Sequence, residues 1–156
     1  MTTRILMVCM GNICRSPSAE GVLRARLAAA PELRVEVDSA GTHDYHVGDP
    51  PDPRAIEHAA RRGISIGGLR ARQVVAEDFV RFDLVLAMDR ANLARLLARC
   101  PVGQAHKVRL LLDYAPRASL REVPDPYYAG AESFEQVLDL LELAAAGVIE
   151  ALRAGR

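Results

Sequence analysis

Ile5-Leu6-Met7-Val8-Cys9 is an unbroken apolar run, and Gly11-Asn12 stops it two residues later. A run this short, aliphatic and without polar alternation reads as a strand over residues 4–9 buried on both faces. That is the condition of a strand inside a parallel sheet covered by helices. Ser16-Pro17 then marks a helix start, with Ser16 as N-cap and Pro17 at the first helical position. Apolar Ala19, Val22, Leu23, Leu27 and Ala30 keep helical spacing as far as Pro31. A buried strand feeding straight into a helix is the first half of a βαβ unit.

The rest of the chain continues the alternation. Residues 33–37 alternate apolar and polar as a second strand, and residues 39–51 form a long loop of the kind that carries function. Asp52-Pro53 starts a second helix that Gly63 ends. Residues 82–88 form a third strand, Asp89 caps a helix through Arg99, and residues 107–112 form a fourth strand. Residues 124–130 form a loop, and residues 133–152 a long amphipathic closing helix. Strands alternating with helices imply an α/β fold, a parallel sheet with helices on both faces. The 156 residues suit one domain spanning 1–156, with no repeat, linker or second domain.

Composition narrows the function classes. Basic and acidic residues balance at 20 and 20, so nothing marks a nucleic-acid footprint or a membrane-surface patch. The apolar run at the N-terminus is too short for a signal peptide, and no run is long enough for membrane insertion. Three cysteines, an odd number without a disulfide spacing, suit free thiols in a reducing, cytoplasmic setting.

The chemistry concentrates in Cys9-Met10-Gly11-Asn12-Ile13-Cys14-Arg15-Ser16-Pro17. Cys9 ends the first strand, at the edge where open α/β sheets bind ligands. The residues after it curl into a helix N-terminus, whose unpaired N–H groups and positive dipole end favour an oxyanion. Gly11 and Asn12 are types that tolerate positive φ, which an inward-pointing nest of amides needs. Arg15 offers a planar fork matched to two phosphate oxygens. The same positive field favours the thiolate form of Cys9, a nucleophile aimed at the phosphorus of a bound phosphate. The Ser16 hydroxyl is placed to hydrogen-bond that sulfur.

On these residues the chain resembles the low-molecular-weight protein-tyrosine phosphatases of bacterial type. The resemblance spans nearly the whole chain. It includes Asp38-Ser39-Ala40-Gly41-Thr42, Gly48-Asp49-Pro50-Pro51-Asp52, Ala71-Arg72-Gln73, Met88-Asp89 and Asp125-Pro126-Tyr127-Tyr128. It implies a four-stranded parallel sheet in the order 2-1-3-4, with the phosphate loop between the first strand and first helix. It implies hydrolysis of phosphotyrosine through a cysteinyl phosphate on Cys9, with Arg15 clamping the anion and no cofactor or metal. Asp125 would be the general acid that protonates the tyrosyl oxygen and then activates water. Tyr127 and Tyr128 would wall a substrate ring, with Met10, Ile13 and Tyr45 around the same cleft. Asp89 reads as an N-cap near the anion loop, and Ser39 belongs to the network supporting Asn12. The implied partner is a phosphotyrosine protein, a bacterial tyrosine kinase being one example.

One departure stands out. Relatives carry a His two residues before Ala-Arg-Gln, where this chain has Leu69 after Gly67-Gly68, so the support of Asn12 is missing or rebuilt. His43, His46, His58 and His106 read as surface or loop residues without metal-ligand spacing. Three rival readings are weaker. An arsenate reductase on this fold needs two further cysteines in mid-chain, whereas residues 74–99 have none and Cys100 stands alone. A catalytically silent phosphotyrosine-binding module would lack the nucleophile or the acid. A dinucleotide-binding protein would carry G-x-G-x-x-G after the first strand. Cys14 is left with two readings, an apolar filler behind the loop or a resolving thiol for Cys9.

Overall fold

The computed structural model describes residues 1–127 and 129–155. Four parallel strands, β1 (Thr3–Cys9), β2 (Val35–Gly41), β3 (Leu84–Ala87) and β4 (Val108–Leu110), form one sheet in the order β2-β1-β3-β4. The apolar run of β1 sits in its centre, and period-two alternation splits it between two cores. Ile5, Met7 and Cys9 face one core, built with α1 (Arg15–Leu27), α2 (Pro53–Arg61) and α5 (Ala131–Arg153). Leu6 and Val8 face the other, with Phe79, Phe82 and Leu96 from the region of α3 (Ala76–Arg81) and α4 (Arg90–Arg99). Both faces are therefore covered. Among the described residues no helix is long and apolar enough to cross a membrane.

Several boundaries differ from the sequence reading. The first helix begins at Arg15 with Cys14 as N-cap, so Ser16 is not the cap and Pro17 is the third helical residue. Pro is tolerated there because the N–H it lacks belongs to a first turn that has no intrahelical acceptors. The Ser16 hydroxyl is free to serve the loop instead. The second strand runs to Gly41, four residues beyond the expected end, because Cys9 pairs with Gly41 and Met7 with Ser39. Asp38-Ser39-Ala40-Gly41 has low intrinsic strand propensity, and the β1 ladder overrides it. Ser39 consequently lies in β2, not after it.

The third strand is shorter than residues 82–88, since Phe82 ends α3 and turns into the core. The fourth gives way to a 3-10 turn, Leu111–Tyr114. Helix α3 was missed because six residues hold too little periodicity to read. Helix α5 begins two residues before the expected start. Gly147 in α5 is required by close approach, because a Cβ there would come within 1.7 Å of the Tyr114 carbonyl oxygen.

Candidate active site

The loop after β1 is built as a hydrogen-bond circuit around Cys9. Asn12 holds the left-handed conformation, φ 57°, which its short polar side chain tolerates better than most. That turn aims the Asn12 backbone N–H at Cys9 Sγ, 3.3 Å away. Gly11 does not adopt positive φ as expected. Its role is space, since a Cβ there would meet the His46 ring at 2.9 Å.

The donors and acceptors of the circuit can be assigned by elimination. The backbone N–H of Arg72 donates to Asn12 Oδ1 at 3.0 Å, which fixes the orientation of the amide. Asn12 Nδ2 then spends both protons, on Ser16 Oγ at 2.7 Å and Ser39 Oγ at 3.0 Å. Each serine must pass its own proton onward. Ser39 donates to Glu20 Oε1 at 2.8 Å, and Ser16 Oγ lies 3.0 Å from Cys9 Sγ with the Ala40 carbonyl at 3.4 Å, so that toward a thiolate sulfur the hydroxyl is the donor. Cys9 Sγ therefore has two polar neighbours, the Ser16 hydroxyl and the Asn12 backbone N–H.

This circuit settles the Leu69 departure. Asn12 is fully hydrogen-bonded without a histidine, and Leu69 packs against the α1–α5 core instead. Its support is rebuilt, through the Arg72 amide, which takes the place of a histidine donor to Asn12.

Arg15 is 3 % exposed and held from two sides. Its Nη1 donates to Asp89 Oδ2 at 2.7 Å and to the Val123 carbonyl at 3.0 Å. Burial works against its charge, but Cys9, the Asp89 hydrogen bond and Asp125 together outweigh burial and hold the guanidinium above its ordinary pKa. Asp89 does two jobs. Its Oδ1 caps α4 by accepting from the Asn92 N–H at 2.7 Å, while Oδ2 orients Arg15. Across the cleft, Asp125 Oδ2 lies 3.6 Å from Arg15 Nη2, and Asp125 Oδ1 accepts from the Tyr127 N–H at 3.1 Å.

Cys9, Met10, Gly11, Ile13, Cys14 and Arg15 line one cavity of about 260 Å³ with Tyr45, His46, Asp125 and Tyr127. The structure thus brings together the residues expected as nucleophile, anion loop and acid, with Tyr45 and Tyr127 beside them. Tyr128 lies outside the described residues. His46 was missed: the loop that follows β2 folds back over Gly11, a contact 35 positions apart that no local pattern announces. The only available signal was that three ring-bearing residues, His43, Tyr45 and His46, sit in one long loop. His58 was also misplaced as a surface residue. It is buried on α2, stacked on Phe134 and hydrogen-bonded to Glu135 of α5. Among the described residues no cluster of His, Cys, Asp or Glu could hold a metal ion.

The sequence matches the model of the family described as low molecular weight phosphotyrosine protein phosphatase over residues 4–156. A low molecular weight protein-tyrosine-phosphatase of Streptomyces coelicolor is 44 % identical over 157 residues, covering 98 % of this chain and 95 % of that one. Among solved structures, the protein tyrosine phosphatase of Entamoeba histolytica with Hepes in its active site superposes with a TM-score of 0.95. It is 39 % identical, and the match covers 98 % of each chain. Wzb of Vibrio vulnificus in complex with benzylphosphonate gives a TM-score of 0.82 at 29 % identity, covering 95 % of this chain and 97 % of that one.

Proposed function

The chain belongs to the low molecular weight phosphotyrosine protein phosphatases, which makes it a protein-tyrosine phosphatase and a hydrolase, and from that premise we propose that it works through a cysteinyl phosphate. Cys9 Sγ attacks the phosphorus of a phosphotyrosine, the bond from phosphorus to the tyrosyl oxygen breaks, and Asp125 gives that oxygen its proton. Arg15 and the loop amides hold the equatorial oxygens, where charge accumulates in the transition state. Water then attacks the cysteinyl phosphate, Asp125 takes its proton, and Cys9 leaves as thiolate. The observation that carries this reading is the pair of donors converging on Cys9 Sγ, the Ser16 hydroxyl and the Asn12 amide, which stabilise the sulfur as nucleophile and as leaving group.

Phosphorylated tyrosine is the proposed substrate because Tyr45 and Tyr127 line the same cleft as Asp125, which supports stacking of a substrate ring there. Binding of benzylphosphonate by the Vibrio vulnificus relative supports an aromatic phosphate mimic in such a cleft. A phosphotyrosine protein such as a bacterial tyrosine kinase is the proposed partner.

Cys9→Ser tests the mechanism. It abolishes turnover of p-nitrophenyl phosphate and of a phosphotyrosine peptide but leaves vanadate binding measurable, because the amide nest and Arg15 remain. Retention of more than a few per cent of wild-type turnover would rule out the covalent route. Equal turnover of phosphoserine and phosphotyrosine peptides by the wild type would remove the role given to the ring walls.

A further inference from the structure

Arg54 lies at the start of α2, outside the groups that meet the phosphate, yet it reaches one wall of the cleft directly and the other through Asp52. Its Nη2 donates to the backbone carbonyl of Tyr127 at 2.9 Å, two residues past Asp125. Its Nε and Nη2 also grip the Asp52 carboxylate as a fork, at 3.0 and 2.9 Å. Asp52 is fixed a second time by accepting from the Arg54 backbone N–H at 2.8 Å, which caps α2. The Asp52 backbone N–H in turn donates to the Ile13 carbonyl of the phosphate loop at 2.8 Å. The guanidinium plane faces two rings, with Cζ 5.6 Å from the Tyr127 centroid and 4.9 Å from that of Phe134. A continuous path of hydrogen bonds thus runs from Ile13 through Asp52 and Arg54 to the loop that carries Asp125.

We propose that Arg54 is a positioning residue, which sets the height of the acid loop, and of Asp125 with it, above the phosphate loop. The proposal rests on the reading of Asp125 as general acid. The near end of the acid loop is anchored at Val123, whose N–H donates to the Met88 carbonyl at 2.8 Å and whose carbonyl accepts from Arg15. Beyond Asp125, Arg54 supplies the anchor that reaches back to α2. Arginine suits the task because one planar group satisfies a carboxylate, a carbonyl and two ring faces together, which a lysine ammonium cannot do.

The position of an acid matters in proportion to how much the leaving group needs its proton. That gives a readout separate from folding. kcat/KM is measured for wild type, Arg54→Met, Arg54→Lys, Asp125→Asn and the Arg54→Met/Asp125→Asn double variant. The substrates are aryl phosphates whose leaving groups range from acidic to weakly acidic phenols. Melting temperature and inhibition by inorganic phosphate are followed in parallel. Arg54→Met is expected to lose about 10- to 100-fold on the weakly acidic phenols, the scale of a misplacement near 1 Å, and far less on the acidic ones. Phosphate inhibition stays unchanged, and Arg54→Lys falls between wild type and Arg54→Met. In the Asp125→Asn background the Arg54→Met loss disappears, because the two act through one proton transfer. A loss equal across all leaving groups, or fully additive with Asp125→Asn, overturns the proposal and leaves Arg54 a structural tie. If Asp125→Asn itself shows no leaving-group dependence, the acid assignment falls, and the role of Arg54 falls with it. Should Arg54→Met not fold, the same leaving-group comparison on Arg54→Lys decides between these outcomes.

Discussion

In the loop from Cys9 to Ser16, the polar residues Asn12, Arg15 and Ser16 are each no more than 3 % exposed, and each side chain has more than one hydrogen-bond partner. Across the cleft, the Asp125 side chain is 36 % exposed, and its hydrogen bond runs to a residue of its own loop. One wall is held from within by a closed circuit, and the other is held from behind, by Val123 and Arg54. The difference follows the chemistry assigned to each. An anion site works by having its dipoles already oriented, so any freedom there costs transition-state stabilisation. An acid that must give up a proton and then take one from water needs contact with solvent.

The sharpest way to break this comparison is to remove the acid while leaving the circuit intact. Asp125→Asn keeps the acceptor for the Tyr127 N–H and deletes only the proton. It is expected to lower turnover by about 10²–10⁴. The loss shrinks as the leaving group becomes more acidic, while vanadate affinity stays near wild type. A uniform loss over aryl phosphates of widely different leaving-group acidity would make Asp125 a turn residue and dissolve the contrast between the two walls.

The two walls also differed in how far the sequence disclosed them. Cys9, Arg15 and the helix start after them lie within seven residues, so local spacing and helix-terminus physics suffice to find them. Asp125 is separated from them by more than a hundred positions, and only the resemblance linked the two. Residues whose role comes from long-range packing stayed hidden. Gly11 reads as a site of positive φ and is instead a gap for His46. Ser16 reads both as a cap and as a partner of Cys9, and only the second holds, while its bond from the Asn12 amide was not legible. Arg54 was one of 20 basic residues, and nothing local separates an arginine that ties two loops from one that meets only water. The sheet order agreed with expectation, but the strand ends did not, because ladder pairing to β1 set them rather than propensity.

A smaller effect tests how rigid the closed circuit is. Cys14 is 5 % exposed, and burial, followed by the charges of Asp52, Cys9 and Asp125, pushes its thiol far above the usual range. It is thus protonated at neutral pH and needs no part in phosphoryl transfer. The resolving-thiol reading has it trap oxidised Cys9. Peroxide converts the Cys9 thiolate to a sulfenic acid with release of hydroxide. The Cys14 sulfur then displaces the sulfenic oxygen, and with the thiol proton that oxygen leaves as water. The bridge requires the two Cα atoms to lie within roughly 7 Å, across the loop that the Asn12 circuit holds. Cys14→Ser should retain turnover before oxidation. After peroxide, dithiothreitol should restore the wild type and largely fail to restore the variant. Full recovery of Cys14→Ser would make Cys14 a filler behind a loop that does not bend.

The smallest expected effect concerns the far end of the circuit, where a closed network has buried a charge. Glu20 is 1 % exposed and accepts the Ser39 proton at Oε1. Its Oε2 lies 2.6 Å from Arg24 Nη2 but off hydrogen-bond alignment. Burial raises the Glu20 pKa, and the Ser39 hydrogen bond and Arg24 offset that only in part. A carboxyl whose folded pKa lies above its unfolded value stabilises the fold fully below the unfolded pKa. That stability is lost as pH rises through the folded pKa. Asp52 has the opposite sign, because the Arg54 hydrogen bond lowers its pKa, so its stability is lost as pH falls instead. Glu20→Gln keeps a carbonyl to accept from Ser39 and removes the buried charge. Relative to wild type it should therefore gain melting temperature on going from pH 4 to pH 8, by up to about 2–4 °C, equivalent to ~1 kcal/mol in a chain this long. Thermal melts of both proteins across that range give the answer. A difference that stays constant with pH, or a variant that loses ground as pH rises, would mean that Arg24 fully compensates the Glu20 charge and that closing the circuit carries no electrostatic cost.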